Sequence, residues 1–542
     1  MQVAGKCIRI YVLCKIEVRH ILFKKIMFLI FLNNPVTFHC ARAYCLKRKK
    51  QKTFFSFQSM PNLNFAEGLF IWKRSMVMKR NAILFVLSLC LSTVMFSCTR
   101  QEERKLTDAT ADGNFKLMVL NPGHYHAALV QKSMYDQVAP IAHVFAPAGP
   151  EVQEYLKRIE SFNTRPDNPT NWQEEVYTGD DYLEKMLTEK PGDVVVMSGN
   201  NQKKTEYIKS AVDAGLNVFS DKPMCIDAEG FKLLEQAFMA AEKKGVLLYD
   251  IMTERFNILC MLQKTFVLNK EVFGEMEKGS EDEPAVVKES VHHFFKYVSG
   301  LPIKRPTWYF DTAQQGEGLV DVTTHLIDLM MWTCFPDEPI DYRKDIVMKE
   351  ARRWPTMLTR QQYEKVTRAP DFPDFLKDKL NSDGVLPYYA NGEMIYTMKG
   401  VYVKLAVTWN FQAPEGGGDT HHSLFRGTKA NVIIRQGKEQ NYRPELYVEP
   451  APGASVEDLA ASLKKALAEL QSKYPGLVLK RQANSWQVLI PNEHRIGHEA
   501  HFRTVTEKYL QYLADGKLPE WEVPNMIAKY YITTRALQLA QQ

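Results

Sequence analysis

The sequence predicts a doubly wound α/β domain over residues 115–250, followed by an α+β domain over 251–542 whose sheet is open and mainly antiparallel. Three observations carry that reading. Short apolar runs alternate with helical periodicity through residues 115–250, the pattern of a parallel sheet covered by helices on both faces. Beyond residue 251 apolar and polar residues alternate instead, over 286–298, 402–411 and 431–436, as strands with one buried face do. Residues 316–332, GEGLVDVTTHLIDLMMW, are apolar on almost every side, so a helix there is buried against that sheet. A chain of 542 residues has ample length for two or three domains with full cores.

The overall charge of +6 conceals two unlike parts. Residues 1–75 hold fourteen Lys or Arg against Glu17 and Glu67, a local +12, which leaves the remainder at −6. The mildly acidic body offers no basic surface for nucleic acid. Residues 1–75 show neither helical nor strand periodicity and read as lying outside the mature protein; a basic nucleic-acid arm is the alternative. Residues 76–98 contain a positive start (Lys79, Arg80), an apolar core over 82–96 shorter than a membrane span, and small Ser97 before Cys98. This resembles a bacterial lipoprotein signal, although Met95-Phe96-Ser97 departs from the usual Leu-Ala-Gly type. The resemblance implies a lipid anchor on Cys98 and a place in the cell envelope, on the periplasmic or outer-membrane face. A plain secretory peptide and an uncleaved anchor stay open. Residues 99–114 are polar and charged and read as a tether. Six of the nine cysteines lie at or before Cys98, and Cys225, Cys260 and Cys334 have no metal-ligand spacing and make no disulfide framework.

From the tether onward, residues 115–120 form an apolar run, then Asn121-Pro122-Gly123-His124-Tyr125-His126, then helical pattern over 127–135. Strand, tight turn and helix open a nucleotide-binding βαβ unit. Strands are expected at 141–146, 193–198, 217–220 and 246–249, with helices at 151–161, 180–188, 203–214 and 228–244. In the second half, residues 342–398 read as an irregular insertion rich in aromatics, Arg and Pro. Residues 445–491 read as a second insertion, a compact strand–helix–strand–strand subdomain. Helices close the chain at 502–514 and 525–540.

On a helix over 316–332, Asp321, Thr324, His325 and Asp328 fall at i, i+3, i+4 and i+7 and share one face. A carboxylate beside an imidazole holds a general base in one tautomer; taken alone, the pair reads equally as a satisfied core contact. A second stretch bears on the choice. The strand at 217–220 runs into Asp221-Lys222-Pro223-Met224. An α/β half, a strand ending in Asp/Glu-Lys-Pro, and a later G-x-G-x-x-D-x-x-x-H helix together resemble the Gfo/Idh/MocA oxidoreductases. Ser198-Gly199-Asn200-Asn201 and the W-x-x-D stretch Trp308–Asp311 are collinear with that pattern. The resemblance covers about residues 115–335 and the helical tail. It implies a Rossmann-type domain, bound NAD or NADP, and a polyol or sugar substrate. It implies cofactor contacts at Asn121, Gly123, His124, Ser198, Asn200, Asn201, Asp221 and Lys222. It further implies Lys222 as cationic donor at the reacting hydroxyl, followed by a cis proline, Asp321 as hydroxyl ligand and orienting group, and His325 as the base.

Two departures stand out. Only the middle glycine of G-x-G-x-x-(G/A) survives; Asn121 suits the left-handed first position, whereas His126 at the third is bulkier and pushes the helix away. After the second strand, residues 145–149 (FAPAG) hold no acid for a ribose hydroxyl, so NAD and NADP stay equally open. Substrate contacts are expected from Lys296, Arg305, Trp308, Tyr309, Trp409 and His421, because aromatics beside polar groups suit a carbohydrate. No metal site is expected, since His421-His422 lack a third ligand at recognisable spacing. Two functions remain open at this point. One is a lipid-anchored, nicotinamide-dependent oxidoreductase acting on a ring hydroxyl of a sugar or glycoside, with net oxidation or internal hydride return as in redox-neutral glycosidases. The other is a non-catalytic carbohydrate-binding lipoprotein on a degenerate dehydrogenase scaffold. Homo-oligomerisation through the open sheet is expected from the resemblance.

Overall fold

The computed structural model describes residues 115–298 and 301–542; the expected signal, Cys98 and the tether lie outside the described residues. Six strands form the first sheet: β1 (Phe115–Leu120), β2 (Val138–Ala146), β3 (Gln173–Thr178), β4 (Val194–Met197), β5 (Asn217–Asp221) and β6 (Leu248–Ile251). All pair in parallel, in the order β3-β2-β1-β4-β5-β6. The central strands are apolar throughout because helices cover both faces; β4, Val194–Met197, is buried at every residue. The order reverses between β1 and β4, and the crevice beyond their C-terminal ends is where such sheets bind ligands.

Strand β3 escapes a periodicity reading for a physical reason. It is the sheet edge, its sequence is QEEVYT, and most of its side chains face water. The helix expected over 127–135 is shorter, His126–Val130, five residues and little more than one turn, and all its residues are buried.

The second sheet has nine strands, ordered β10-β11-β12-β7-β13-β14-β15-β17-β16. They are β7 (Val286–Phe295), β10 (Ile346–Leu358), β11 (Leu386–Met398), β12 (Val401–Gln412), β13 (Thr420–Arg426), β14 (Ala430–Gln436), β15 (Glu445–Pro450), β16 (Val478–Arg481) and β17 (Trp486–Leu489). A small hairpin, β8 (Tyr297–Val298) with β9 (Leu301–Pro302), stands apart. Every pair in the large sheet is antiparallel except β12 with β7. One face is covered by the helices Ile258–Leu268, Thr323–Cys334 and Glu522–Ala540. There Leu262, Phe266, Ile327, Met330 and Ile532 meet Val403, Leu405, Phe425 and Val432.

Three expectations are corrected here. Residues 342–398 are not irregular: they supply β10 and β11, whose register runs from Ile346↔Met398 to Leu358↔Leu386. Polar, Pro-containing β10 is an edge strand with water on much of its surface, which erases the alternating signal. Residues 445–491 do form strand, helix, strand and strand, yet β15 pairs with β14 and so prolongs the large sheet rather than making a separate subdomain. The stretch 316–332 is not one helix. A 3₁₀ turn at Gly318–Val320 ends at Asp321, whose backbone (φ −101°, ψ −93°) is not helical, and the helix proper is Thr323–Cys334. Its opening glycines have steric reasons: Gly316 sits at φ 94°, and a Cβ on Gly318 would lie 2.0 Å from the Ala390 carbonyl oxygen of β11.

The last two helices also belong elsewhere than their position in the chain implies. Phe502, Val505, Tyr509, Met526 and Tyr530 pack into the core of the parallel sheet. Tyr509 stacks on Phe219 of β5 at 4.5 Å. The helix Glu522–Ala540 adds Ala528, Ile532 and Leu537 to the other core and so spans both.

Candidate active site

The crevice at the ends of β1, β4 and β5 is built on close backbone approach. Asn121 adopts φ 47°, the left-handed conformation its side chain tolerates. A Cβ at Gly199 would stand 2.4 Å from the Asn121 carbonyl oxygen, so only glycine fits there. The amides of Gly123 and His124 both donate to the Ser198 carbonyl at 3.2 Å, which ties the loop to β4. Asn200 donates to the Gln314 side chain at 2.7 Å, and Asn201 donates to the Gln315 carbonyl at 2.8 Å. Those two asparagines join the crevice to the turn that precedes Asp321.

Asp221 is the hub of the loop rather than an open contact. Its carboxylate accepts from Ser198 Oγ and His126 Nδ1, both at 2.9 Å, and from the Lys222 amide at 3.0 Å. Burial pushes its pKa up, but His126, Lys204 and His124 more than offset that and hold it far below the carboxylate range. The bulk of His126 is absorbed in this network: its ring is buried, bonded to Asp221 and 4.7 Å from Phe502. Lys204, absent from the sequence reading, donates to the Asp221 carbonyl at 3.2 Å, and burial lowers its pKa to about 8.

Lys222 follows at the end of β5, with a cis bond to Pro223. Its Nζ donates to Asp321 Oδ1 at 2.6 Å, and Gln315 donates to Oδ2 at 3.3 Å. Asp321 is therefore held by Lys222 and Gln315, not by His325 as the helical spacing implied, because Asp321 precedes the helix, which begins at Thr323. Burial pushes the Asp321 carboxyl up, and Lys222 beside it brings it below its usual value. His325 lies half-buried nearby, with Nδ1 sealed from water and no hydrogen-bond partner. Burial, then Lys222, lowers its pKa to about 3. Its imidazole is neutral at neutral pH, and Nε2 is the nitrogen left open. Asp328, the last residue of the expected polar face, instead accepts two bonds from Arg255 at 2.7 Å and one from Lys529 at 2.9 Å.

The expected substrate residues divide into groups. Arg305 lies over Tyr309 at 4.5 Å and Trp409 at 5.1 Å, and Trp409 stacks on His292 at 4.7 Å. Tyr309 is buried, which raises its pKa. Lys296 pairs with Asp419 at 2.5 Å, as does His293 at 2.8 Å, binding the glycine-rich loop to β7. His421 opposes Ser290 across β13 and β7, and burial, with Lys288 and His292 near it, lowers its pKa to about 3. Trp308 is buried in the same aromatic cluster as Tyr309 and Trp409 and also reaches the phosphate-side loop: a Cβ on Gly123 would meet its ring at 3.6 Å. Sequence reasoning missed His292, Gln315 and Lys204; Gly199 was named only as part of the collinear stretch Ser198–Asn201.

A model described as "Oxidoreductase family, NAD-binding Rossmann fold" (GFO_IDH_MocA) matches residues 119–250, and "Putative oxidoreductase C terminal domain" matches residues 262–541. The chain belongs to the Gfo/Idh/MocA oxidoreductases. It is similar to a solved "putative oxidoreductase" from Parabacteroides merdae ATCC 43184, at 54% identity over 80% of this chain and 98% of that one, with a TM-score of 0.78. It shares its fold with levoglucosan dehydrogenase solved with NADH and L-sorbose, at 12% identity over 79% of this chain and 97% of that one, TM-score 0.51. No curated protein matches the chain.

This Gfo/Idh/MocA protein is thus an NAD(P)-dependent oxidoreductase, and its crevice fits a nicotinamide nucleotide. The left-handed Asn121 turn, the Gly199 approach and the buried, unpartnered Asn201 Oδ1 are the features such a nucleotide would meet there. Residues 147–149, directly after β2, carry no acidic side chain; the first is Glu151, at the start of the helix Pro150–Thr164.

Proposed function

We propose that the protein oxidises a hydroxyl of a sugar or glycoside at the Lys222–Asp321–His325 cluster. The observation that carries this is the 2.6 Å Lys222–Asp321 pair beside a neutral imidazole, His325, whose buried Nδ1 has no hydrogen-bond partner. Ser198, Asn200, Asn201 and Lys222 are the strand-end residues that would hold the cofactor, which supplies the hydride acceptor when bound. Asp321 accepts a hydrogen bond from a substrate hydroxyl, and Lys222 places positive charge where alkoxide develops. His325 Nε2 takes the hydroxyl proton. The Arg305–Tyr309–Trp409–His292 stack gathers aromatic and polar side chains of the kinds that suit a sugar ring. The sugar bound to levoglucosan dehydrogenase, which has this fold, supports the same substrate class. The lipoprotein-like signal supports action in the cell envelope through an anchor on Cys98.

The test is direct. Purified protein, titrated with NAD+ and NADP+ and then given a panel of sugars and glycosides, is expected to bind a nucleotide and form a ketone. Lys222→Ala and His325→Ala are each expected to abolish turnover and leave the thermal transition nearly unchanged. Unchanged turnover in His325→Ala removes it as the base, and loss of folding in both variants makes the cluster structural.

A further inference from the structure

Beyond the hydride chemistry, a second cluster stands next to His325. Glu254 belongs to the 3₁₀ turn Thr253–Phe256, and His498 and His501 lie at i and i+3 on the helix His498–Asp515. Each offers one ligand atom, and these atoms all lie within 4.8 Å of one another. We propose that Glu254, His498 and His501 bind one divalent transition-metal ion of the zinc class.

The tautomers of the neighbouring hydrogen bonds set two acceptors face to face there. The Asp221 carboxylate only accepts, so His126 Nδ1 carries the hydrogen in their 2.9 Å bond. His126 Nε2 is then an acceptor, and His498 Nε2 must donate to it across 3.4 Å. In neutral His498 the other nitrogen, Nδ1, is left as a lone pair 3.4 Å from Glu254 Oε1. Two acceptors face each other. A proton on His498 would separate them, but it leaves His501 unexplained: that ring is 3% exposed, and neither of its nitrogens has a partner. Two unsatisfied buried nitrogens are costly unless something meets them. A single metal ion meets His498 Nδ1, one of the two His501 nitrogens and Glu254 together.

The donor set and spacing agree. Two imidazoles and a carboxylate suit zinc-class ions, as in catalytic sites that keep a further position open. With metal–ligand bonds of about 2.0–2.1 Å, tetrahedral donors stand about 3.3–3.4 Å apart, which is the His498–Glu254 separation. Side-chain exposures of 38% for His498 and 29% for Glu254 leave an entry path. The His498–His126–Asp221 chain is the outer carboxylate support that metal-bound histidines use.

The experiment uses the purified full chain, stripped with chelator and titrated with Zn2+ by calorimetry and with Co2+ by visible absorption. One equivalent of each is expected, with a cobalt ligand-field band and a metal-dependent rise in thermal midpoint. Glu254→Gln and His501→Ala are expected to abolish the band. His126→Phe, which removes the support behind His498, weakens Zn2+ about 10-fold or more. His143→Ala, on β2 and paired with Glu175, leaves binding unchanged. No stoichiometric binding of either metal overturns the proposal. So does full binding retained by Glu254→Gln, the substitution that keeps the side chain's shape.

Discussion

At the scale of single residues, the site is set by what burial does to titratable groups. His325 and His421 both have pKa values lowered to about 3, first by burial. In the unfolded chain a histidine titrates near 6.5. Between those values the unfolded state binds protons that the folded state does not, so stability falls as pH drops from about 6.5 toward 3 and is independent of both groups above 6.5. Urea midpoints measured from pH 8 to pH 4 are expected to hold steady and then decline, less steeply in His421→Gln. A midpoint flat to pH 4 contradicts this assignment. The acid limb of kcat/KM, if His325 is the base, lies well below 6.5 for the same reason.

Among elements, the helix Thr323–Cys334 is decisive because it carries His325 on one side and a buried charge cluster on another. Asp328 accepts from Arg255 and Lys529, Lys529 also reaches Asp250 at 2.7 Å, and Arg255 pairs with Glu522 at 2.8 Å. All of these groups are buried. Removing one partner strands the others' charge out of water, which costs about 3–5 kcal/mol in buried pairs. Lys529→Met is therefore expected to lower stability by about that amount in denaturant unfolding. Lys529→Met with Asp328→Asn recovers part of the loss. A surface pair such as Lys232 with Glu229 changes little when broken.

For the whole molecule, the chain's end is part of its beginning. The helix His498–Asp515 fills one face of the parallel sheet through Phe502, Val505 and Tyr509, and Glu522–Ala540 joins both cores. A chain truncated before His498 exposes the faces those side chains cover and loses a ligand pair of the metal cluster. Such a truncation is expected to abolish the cooperative thermal transition seen by circular dichroism. A truncated protein that still melts cooperatively would show that the parallel sheet folds without its C-terminal cover.

The two fold classes, the parallel arrangement of the first sheet, the left-handed Asn121 and the ordered motifs at Asp221–Met224 and Gly316–His325 were determined by sequence alone. Each depends on residues close along the chain, where periodicity and turn chemistry act directly. Edge strands β3 and β10 were not legible, since a strand that faces water on one side carries polar residues like a loop. Nor were the partners of the site. Asp321 precedes the helix and binds Lys222, His126 closes on Asp221, and His498 meets Glu254. Those pairs join residues far apart in the chain, so no spacing records them. The parallel order β1-β4-β5 brings His126 to Asp221, the turn before the helix Thr323–Cys334 brings Asp321 to Lys222, and the helix His498–Asp515 brings His498 to Glu254.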